Sequence, residues 1–234
     1  MDSRMPAPER RGLAFGRKIK KIIFDFDGVL VDSLEHNIKE VQRMAEVFGF
    51  GKLERKEIIK HWGIIFEKFL EALMPCVTVE MYIQKRVELG LHKNVPKHFE
   101  GARRTLRKLS KKYPLSLISN RERITLGELM AGNGIKKEWF QYIQTASDTE
   151  FHKPDPRVFE KVLAIFEKDG ISKEEILYVG DHSVDFEASK GAGLNFVGIL
   201  SGHLVTMEEF IRAGVLPERV LDSVRDLPNF LLTH

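Results

Sequence analysis

Apolar and polar residues first form a clear pattern at Lys21 to Ser33, KIIFDFDGVLVDS. Ile22 and Ile23 lead into an alternation of Phe24, Asp25, Phe26 and Asp27. Side chains two apart on a strand point the same way. The pattern therefore predicts a strand from about Lys20 to Phe26, with Phe24 and Phe26 on one side and Asp25 and Asp27 on the other. Gly28 follows at once, so the backbone can turn sharply or approach a ligand. The period then changes to helical. Ile38, Val41, Met44, Ala45 and Phe48 predict a helix opened by Asp32-Ser33, with Ser33 as its N-cap and Gly49 and Gly51 as its stop.

From Leu53 to Lys93 the spacing stays helical. Ile58, Ile59 and Trp62 are followed by Ile65, Phe66, Phe69, Leu70 and Leu73, and then by Val79, Tyr82, Ile83, Val87 and Leu91. Pro75 interrupts the run and Gly90 closes it. A helical block of this size directly after a first strand reads as an inserted helical cap. Beyond it, short apolar runs alternate with amphipathic ones. Strands are predicted at 114–118, 139–145, 176–179 and 195–200, and helices around 102–109, 121–132, 156–168, 185–191, 207–213 and 227–232. Such alternation argues for a parallel sheet covered on both faces. The expected fold is therefore α/β: a Rossmann-like core over 19–33 and 96–234, a helical cap over 34–95, and a flexible basic extension over 1–18.

Composition narrows the function. The chain has 234 residues, 43% hydrophobic and 30% charged, with a net charge of +3. No block of like charge dominates, so neither nucleic acid nor an anionic surface is expected as a partner. No apolar run has the length of a membrane span, and the first residues lack the apolar segment of a signal peptide. The one cysteine, Cys76, excludes an internal disulfide framework and fits a reducing compartment, so a cytoplasmic location is expected. Its apolar neighbours suggest a packed or incidental side chain.

The candidate chemistry sits where strands are expected to end, the place where open α/β sheets bind ligands. Asp25 and Asp27 follow the first strand, Ser119-Asn120 the second, and Gly180-Asp181 the strand at 176–179. Two neighbouring carboxylates repel one another, and a cation or a proton must separate their charges. Phosphoryl transfer to a carboxylate needs that arrangement: one Asp attacks, one handles protons, and a divalent ion ties them together. Lys153 lies in HKPDPRVF, held between Pro154 and Pro156 before a helix. The turn GDHSVD carries Asp181 and Asp185, an oxygen-only donor set that suits Mg2+. His182 lies within that turn without a partner at zinc spacing.

These segments resemble, in order, the four motifs of the haloacid dehalogenase superfamily: DFDGVLVDS, LSLISN, KPDPRVF and GDHSVD. The resemblance covers the chain from about residue 19 onward and implies a HAD-type fold. It implies that Asp25 is the nucleophile and Asp27 the general acid and base. Ser119, Asn120, Lys153 and Gly28 would surround the phosphoryl group. Asp25, Asp27, Asp181 and Asp185 would hold Mg2+, Asp27 through its backbone carbonyl. An acid at 27 suits a phosphate ester, whose leaving oxygen needs a proton. The cap placement is similar to that of phosphoglycolate phosphatases and beta-phosphoglucomutases and implies a small phosphorylated metabolite as substrate. The mutases carry a His five residues after the Asp of their DS or DT pair; here that place is Asn37, and His36 falls one short. The cap residues that select substrate are not marked; Lys39, Arg43, Lys60 and His61 are candidates only, and solvated helix faces are the default reading of them. A phospho-accepting receiver domain, or a HAD-like binding protein without turnover, is the reading from another class. A receiver has no helical cap and carries its acceptor Asp on a later strand.

Overall fold

A computed structural model describes Phe15 and residues 18–233. The expected extension over 1–18 thus lies outside the described residues, except for Phe15 and Lys18. Phe15 is buried, its ring set edge-on against Phe230 at 5.6 Å.

The core is a six-stranded parallel sheet: β1 (Lys21–Phe24), β2 (Leu115–Ile118), β3 (Phe140–Gln144), β4 (Ile176–Gly180), β5 (Asn195–Ile199) and β6 (Val220–Leu221), in the order β3-β2-β1-β4-β5-β6. β1, β2 and β4 are buried along their whole length, as expected for strands covered on both faces. The alternation along β1 divides the core. Ile22 and Phe24 join one apolar cluster and Ile23 joins the other, so each face of the sheet has its own packed layer. The first layer takes Leu106 and Leu109 from α5 (Ala102–Leu109) and Leu126, Leu129 and Met130 from α6 (Arg123–Gly132). The second takes Val162 and Phe166 from α7 (Glu160–Lys168), Ala188 and Ala192 from α8 (Ser183–Ala192), and Phe210 from α9 (Met207–Ala213). The last helix, α10 (Leu227–Thr233), returns Phe230 to the first layer.

Between β1 and α5 lie only helices and connections: α1 (Leu34–Val47), α2 (Arg55–Lys60), α3 (Phe66–Leu73) and α4 (Val79–Glu88). They close on an apolar cluster of their own, built from Ile38, Met44, Ile58, Phe69, Leu70 and Tyr82. Leu204, from the loop after β5, packs against that cluster. No helix among the described residues is long and apolar enough to cross a membrane.

Several local expectations change. β1 stops at Phe24, two residues early, because Asp25 turns out of the sheet with its N–H still donating to Val179 O at 2.8 Å. Ser33 precedes α1, but its hydroxyl makes no capping bond; it donates to Asp27 Oδ1 at 2.5 Å instead. The helix expected from Pro156 begins as a 3-10 turn over Pro156–Phe159, with the N–H of Val158 donating to Asp155 O at 3.1 Å, before α7 takes over. Of the two readings of Cys76, packed or incidental, the exposed side chain fits the second; it lies in a turn after α3 with φ +73°.

Candidate active site

β1 and β4 are neighbours at the point where the strand order reverses, with β2 and β3 to one side and β5 and β6 to the other. The loops leaving two such strands diverge and open a crevice. Asp25 leaves β1 and Asp181 leaves β4 into that crevice, and Ser119 follows β2. Asp185, one turn into α8, points back under the same loops. One carboxylate oxygen from each of Asp25, Asp181 and Asp185 lies within 4.8 Å of the others, and all three side chains are buried.

Gly28 and Gly202 set the position of Asp181. A Cβ at either residue would stand 1.8 Å from Asp181 Oδ2. Gly28 also has φ +72°, a conformation that side chains avoid. Gly180 leaves the same kind of room for Asp185. Ser201 Oγ donates to Gly28 O at 3.2 Å and ties the loop after β5 to the loop after β1.

Lys153 is the buried counter-charge. Its Nζ lies 2.8 Å from Asp25 Oδ1 and 2.7 Å from Asp185 Oδ1, and donates to Tyr178 Oη at 3.1 Å. Asp185 is fully committed. Oδ1 accepts from Lys153 and from Tyr178 Oη, and Oδ2 accepts from the N–H groups of Asp181 and His182 at 3.2 and 3.0 Å. It therefore shapes the Asp181 turn as well as balancing Lys153. His182 caps α8, its Nδ1 facing the N–H of Val184 at 3.4 Å. Asp25 Oδ1 is different. Lys153 meets it at ion-pair distance, yet this buried oxygen has no hydrogen bond of good geometry.

Burial opposes charge throughout this cluster. Burial, with the charge of Asp185 added and that of Lys153 opposed, pushes Asp25 up to about 7. Burial and then the charges of Asp185 and Asp25 push Asp181 well above its ordinary value. Burial also works against the Lys153 ammonium, but Asp185 and Asp25 override it and hold its proton more firmly than on an ordinary lysine. Three carboxylates against one ammonium leave excess negative charge. A glycine cradle around Asp181 and a buried all-oxygen donor set from Asp25, Asp181 and Asp185 fit a hard divalent cation such as Mg2+.

Asp27 faces the other way within the same crevice. Arg121 clamps it through Nε to Oδ2 at 2.8 Å and Nη2 to Oδ1 at 2.6 Å. Burial pushes this carboxyl up, but Arg121 and Ser33 more than reverse the effect and hold it below the ordinary value. Ser119 is buried, and its Oγ accepts from the N–H of Arg121 at 3.2 Å. The Asn120 amide is spent on backbone. It donates to Lys153 O at 3.0 Å and to Gly63 O at 2.9 Å, and accepts from Lys153 N at 3.1 Å. It thus fastens the Lys153 loop and the turn before α3 to the end of β2.

The helices between α1 and α4 roof a cavity of about 170 Å³ over these groups. Trp62, Phe66 and Tyr82 form an aromatic part of the roof, with Phe66 edge-on to Tyr82 at 4.9 Å. Lys39, Arg43, Lys60 and His61, candidates for substrate selection with solvated helix faces as their default reading, do not line the cavity. The first three are exposed on helix faces. The polar cap residues that do line it are His36, Asn37, Glu40 and Arg86, facing Arg121, Glu122 and Thr125 from the core. Arg86 is buried. It pairs with Glu40 through Nε at 3.0 Å and with Glu128 of α6 through Nη1 at 2.5 Å. Nothing in the local sequence marks Arg86 or Arg121, because their partners lie 42 to 94 positions away.

Residues 22–199 match the family described as haloacid dehalogenase-like hydrolase. The chain belongs to that family and is an enzyme of the hydrolase class. Among its relatives, pyrophosphatase PpaX of Halalkalibacterium halodurans is 28% identical over 90% of this chain and 95% of its own. A phosphoglycolate phosphatase of Pseudomonas putida is 26% identical over 78% of this chain and 70% of its own. A solved hydrolase from Pseudomonas syringae superposes with a TM-score of 0.73 at 26% identity, covering 91% of this chain and 97% of that one.

Proposed function

We propose that this hydrolase is a Mg2+-dependent phosphatase that acts on a small phosphorylated metabolite through an aspartyl-phosphate. The observation that carries the reading is the buried cluster in which carboxylate oxygens of Asp25, Asp181 and Asp185 meet beside Lys153, in a crevice that also gathers Asp27. The relatives named for pyrophosphate and phosphoglycolate support the phosphatase class.

Asp25 attacks phosphorus from one side, and the bond to the leaving oxygen breaks on the other. Asp27, acting in its protonated form, gives that oxygen a proton. It then takes a proton from a water that attacks the phosphorus, which frees inorganic phosphate and restores Asp25. Ser119 Oγ and Lys153 Nζ hold phosphoryl oxygens, and Gly28 lets the backbone come close to them. Asn120 keeps the Lys153 loop in place. Asp25, Asp181 and the backbone carbonyl of Asp27 would hold Mg2+, with Asp185 orienting Asp181 from behind. The bound ion supplies the positive charge that lets two anions approach. The roof excludes water from the aspartyl-phosphate until the leaving group departs.

The test is a screen with Mg2+ against phosphoglycolate, pyrophosphate, sugar phosphates, nucleotides and an aryl phosphate. The proposal expects turnover that excess chelator abolishes and that Asp25→Asn and Asp27→Asn each reduce to background. Full activity in Asp25→Asn, or in excess chelator, contradicts it. A flat result across the panel would favour a binding role.

A further inference from the structure

We infer that the groove between α5 and the connection from α6 to β3 is a second binding site, separate from the catalytic cavity, and that it takes a nucleoside polyphosphate. Arg103, Arg104 and Arg107 of α5 line this groove together with His98 and with Lys136 and Trp139 of the connection. None of these residues lines the catalytic cavity, so the inference does not depend on the chemistry proposed there.

The whole-chain balance conceals a concentration of charge. The net charge is +3, yet residues 102–112 alone carry six cations, Arg103, Arg104, Arg107, Lys108, Lys111 and Lys112, and no acid. All six are exposed. They do not serve the helix. Arg103 and Arg104 stand in the first turn of α5, where the helix dipole favours acids. Arg103 with Arg107, and Arg104 with Lys108, are like-charge pairs one turn apart, which oppose helix formation. Nor does the fold neutralise them. No carboxylate lines the groove, and among the described residues Arg103, Arg104, Arg107 and Lys136 form no ion pair. Arg103 is seated against Gly134, its Cζ 3.2 Å from where a Cβ there would stand, so the connection holds one guanidinium in place.

Four cations brought together from two segments repel one another unless an anion lies between them. Three of them are guanidinium groups, whose planar forks match phosphate oxygens two at a time. The half-buried Trp139 adds an aromatic wall on which a base can stack. The groove's volume, about 570 Å³, is that of a site for a small organic molecule. Adjacent phosphates joined to an aromatic base describe a nucleoside di- or triphosphate. An acidic peptide or an inorganic polyphosphate would meet the cations and leave Trp139 unused.

The experiment titrates the full chain with ATP by calorimetry, in excess chelator and at low salt. Saturable binding is expected. Arg104→Gln combined with Arg107→Gln should weaken it by about 10-fold or more, the size of lost charge-assisted contacts, while melting shows that these surface changes leave the fold intact. Inorganic triphosphate should bind about 5-fold or more weakly than ATP, because it has no base to stack. In Trp62→Phe, Trp139 is the one remaining tryptophan, and ATP should change its emission with the midpoint that calorimetry gives. Absent binding, binding that the double variant leaves unchanged, triphosphate as tight as ATP, or a Trp139 emission that ATP does not alter each overturns the site. A single-stranded oligonucleotide that binds more tightly than ATP would make the groove part of a nucleic-acid surface and overturns it as well. Turnover of an aryl phosphate that depends on Asp25 stands or falls apart from all of these outcomes.

Discussion

The α-carbon of Gly202 lies against the carboxylate of Asp181, so close that a Cβ there would sit 1.8 Å from Oδ2. The loop after β5 thus fixes a side chain carried by the loop after β4. Gly28 makes the same approach from the loop after β1, but its positive φ adds backbone strain to any substitution. Gly202→Ala is therefore the cleaner probe. It should displace Asp181 and raise the Mg2+ concentration needed for half-maximal activity by roughly 10- to 100-fold, as for other changes just behind a metal ligand. A metal titration of the activity checks this. An unchanged requirement would remove Asp181 from the account.

The metal-free protein should lose stability as pH rises from about 4 to 7. Asp25, raised to about 7, and Asp181, raised well above the ordinary value by burial, keep their protons in the folded state after the unfolded chain has lost its own. Over that window the folded state binds more protons, so each rise in pH favours unfolding. Below it both states are protonated and the effect vanishes. Melting curves in chelator should show Tm falling across the window. Asp181→Asn should flatten the fall and raise Tm near neutral pH while abolishing activity. A Tm that rises from pH 5 to 7 in chelator would contradict the electrostatic description.

Arg86 ties the roof to the core. It bridges Glu40 of α1 and Glu128 of α6 while only 3% exposed. Arg86→Ala should leave the half-buried Glu40 with only Tyr82 Oη as a partner and cost about 3 kcal/mol in urea unfolding. Glu128→Ala should cost less, because that carboxylate is 25% exposed and solvent screens it. If both changes cost the same few tenths, the bridge is a surface feature.

The parts of this site that were legible in the sequence share one property: each is local. Asp25 and Asp27 follow an apolar run, and Ser119 and Asp181 end others, so strand order alone brings them to one rim. Lys153 was marked by its two prolines. The helical block after β1 was legible through spacing, while its place as a roof over the site came only with the family resemblance. What stayed hidden depends on contacts between distant segments. Arg121 reads as one more charge in SNRER, until the fold lays it across Asp27, 94 positions earlier. Gly202 reads as a loop residue, until Asp181 fills the place of its side chain. Ser33 looked like a helix cap, because a Ser before an apolar run usually is one; the nearer carboxylate of Asp27 took its hydroxyl instead.

The central claim is that the carboxylate of Asp25 carries the phosphoryl group. Acyl phosphates are reduced by borohydride, which would convert a phosphorylated aspartate to homoserine. Enzyme quenched during turnover of an aryl phosphate, reduced and mapped by peptide mass, should show homoserine at position 25 and nowhere else. A trapped phosphoryl group on another side chain, or turnover at full rate with aspartate at 25 never modified, would contradict the account.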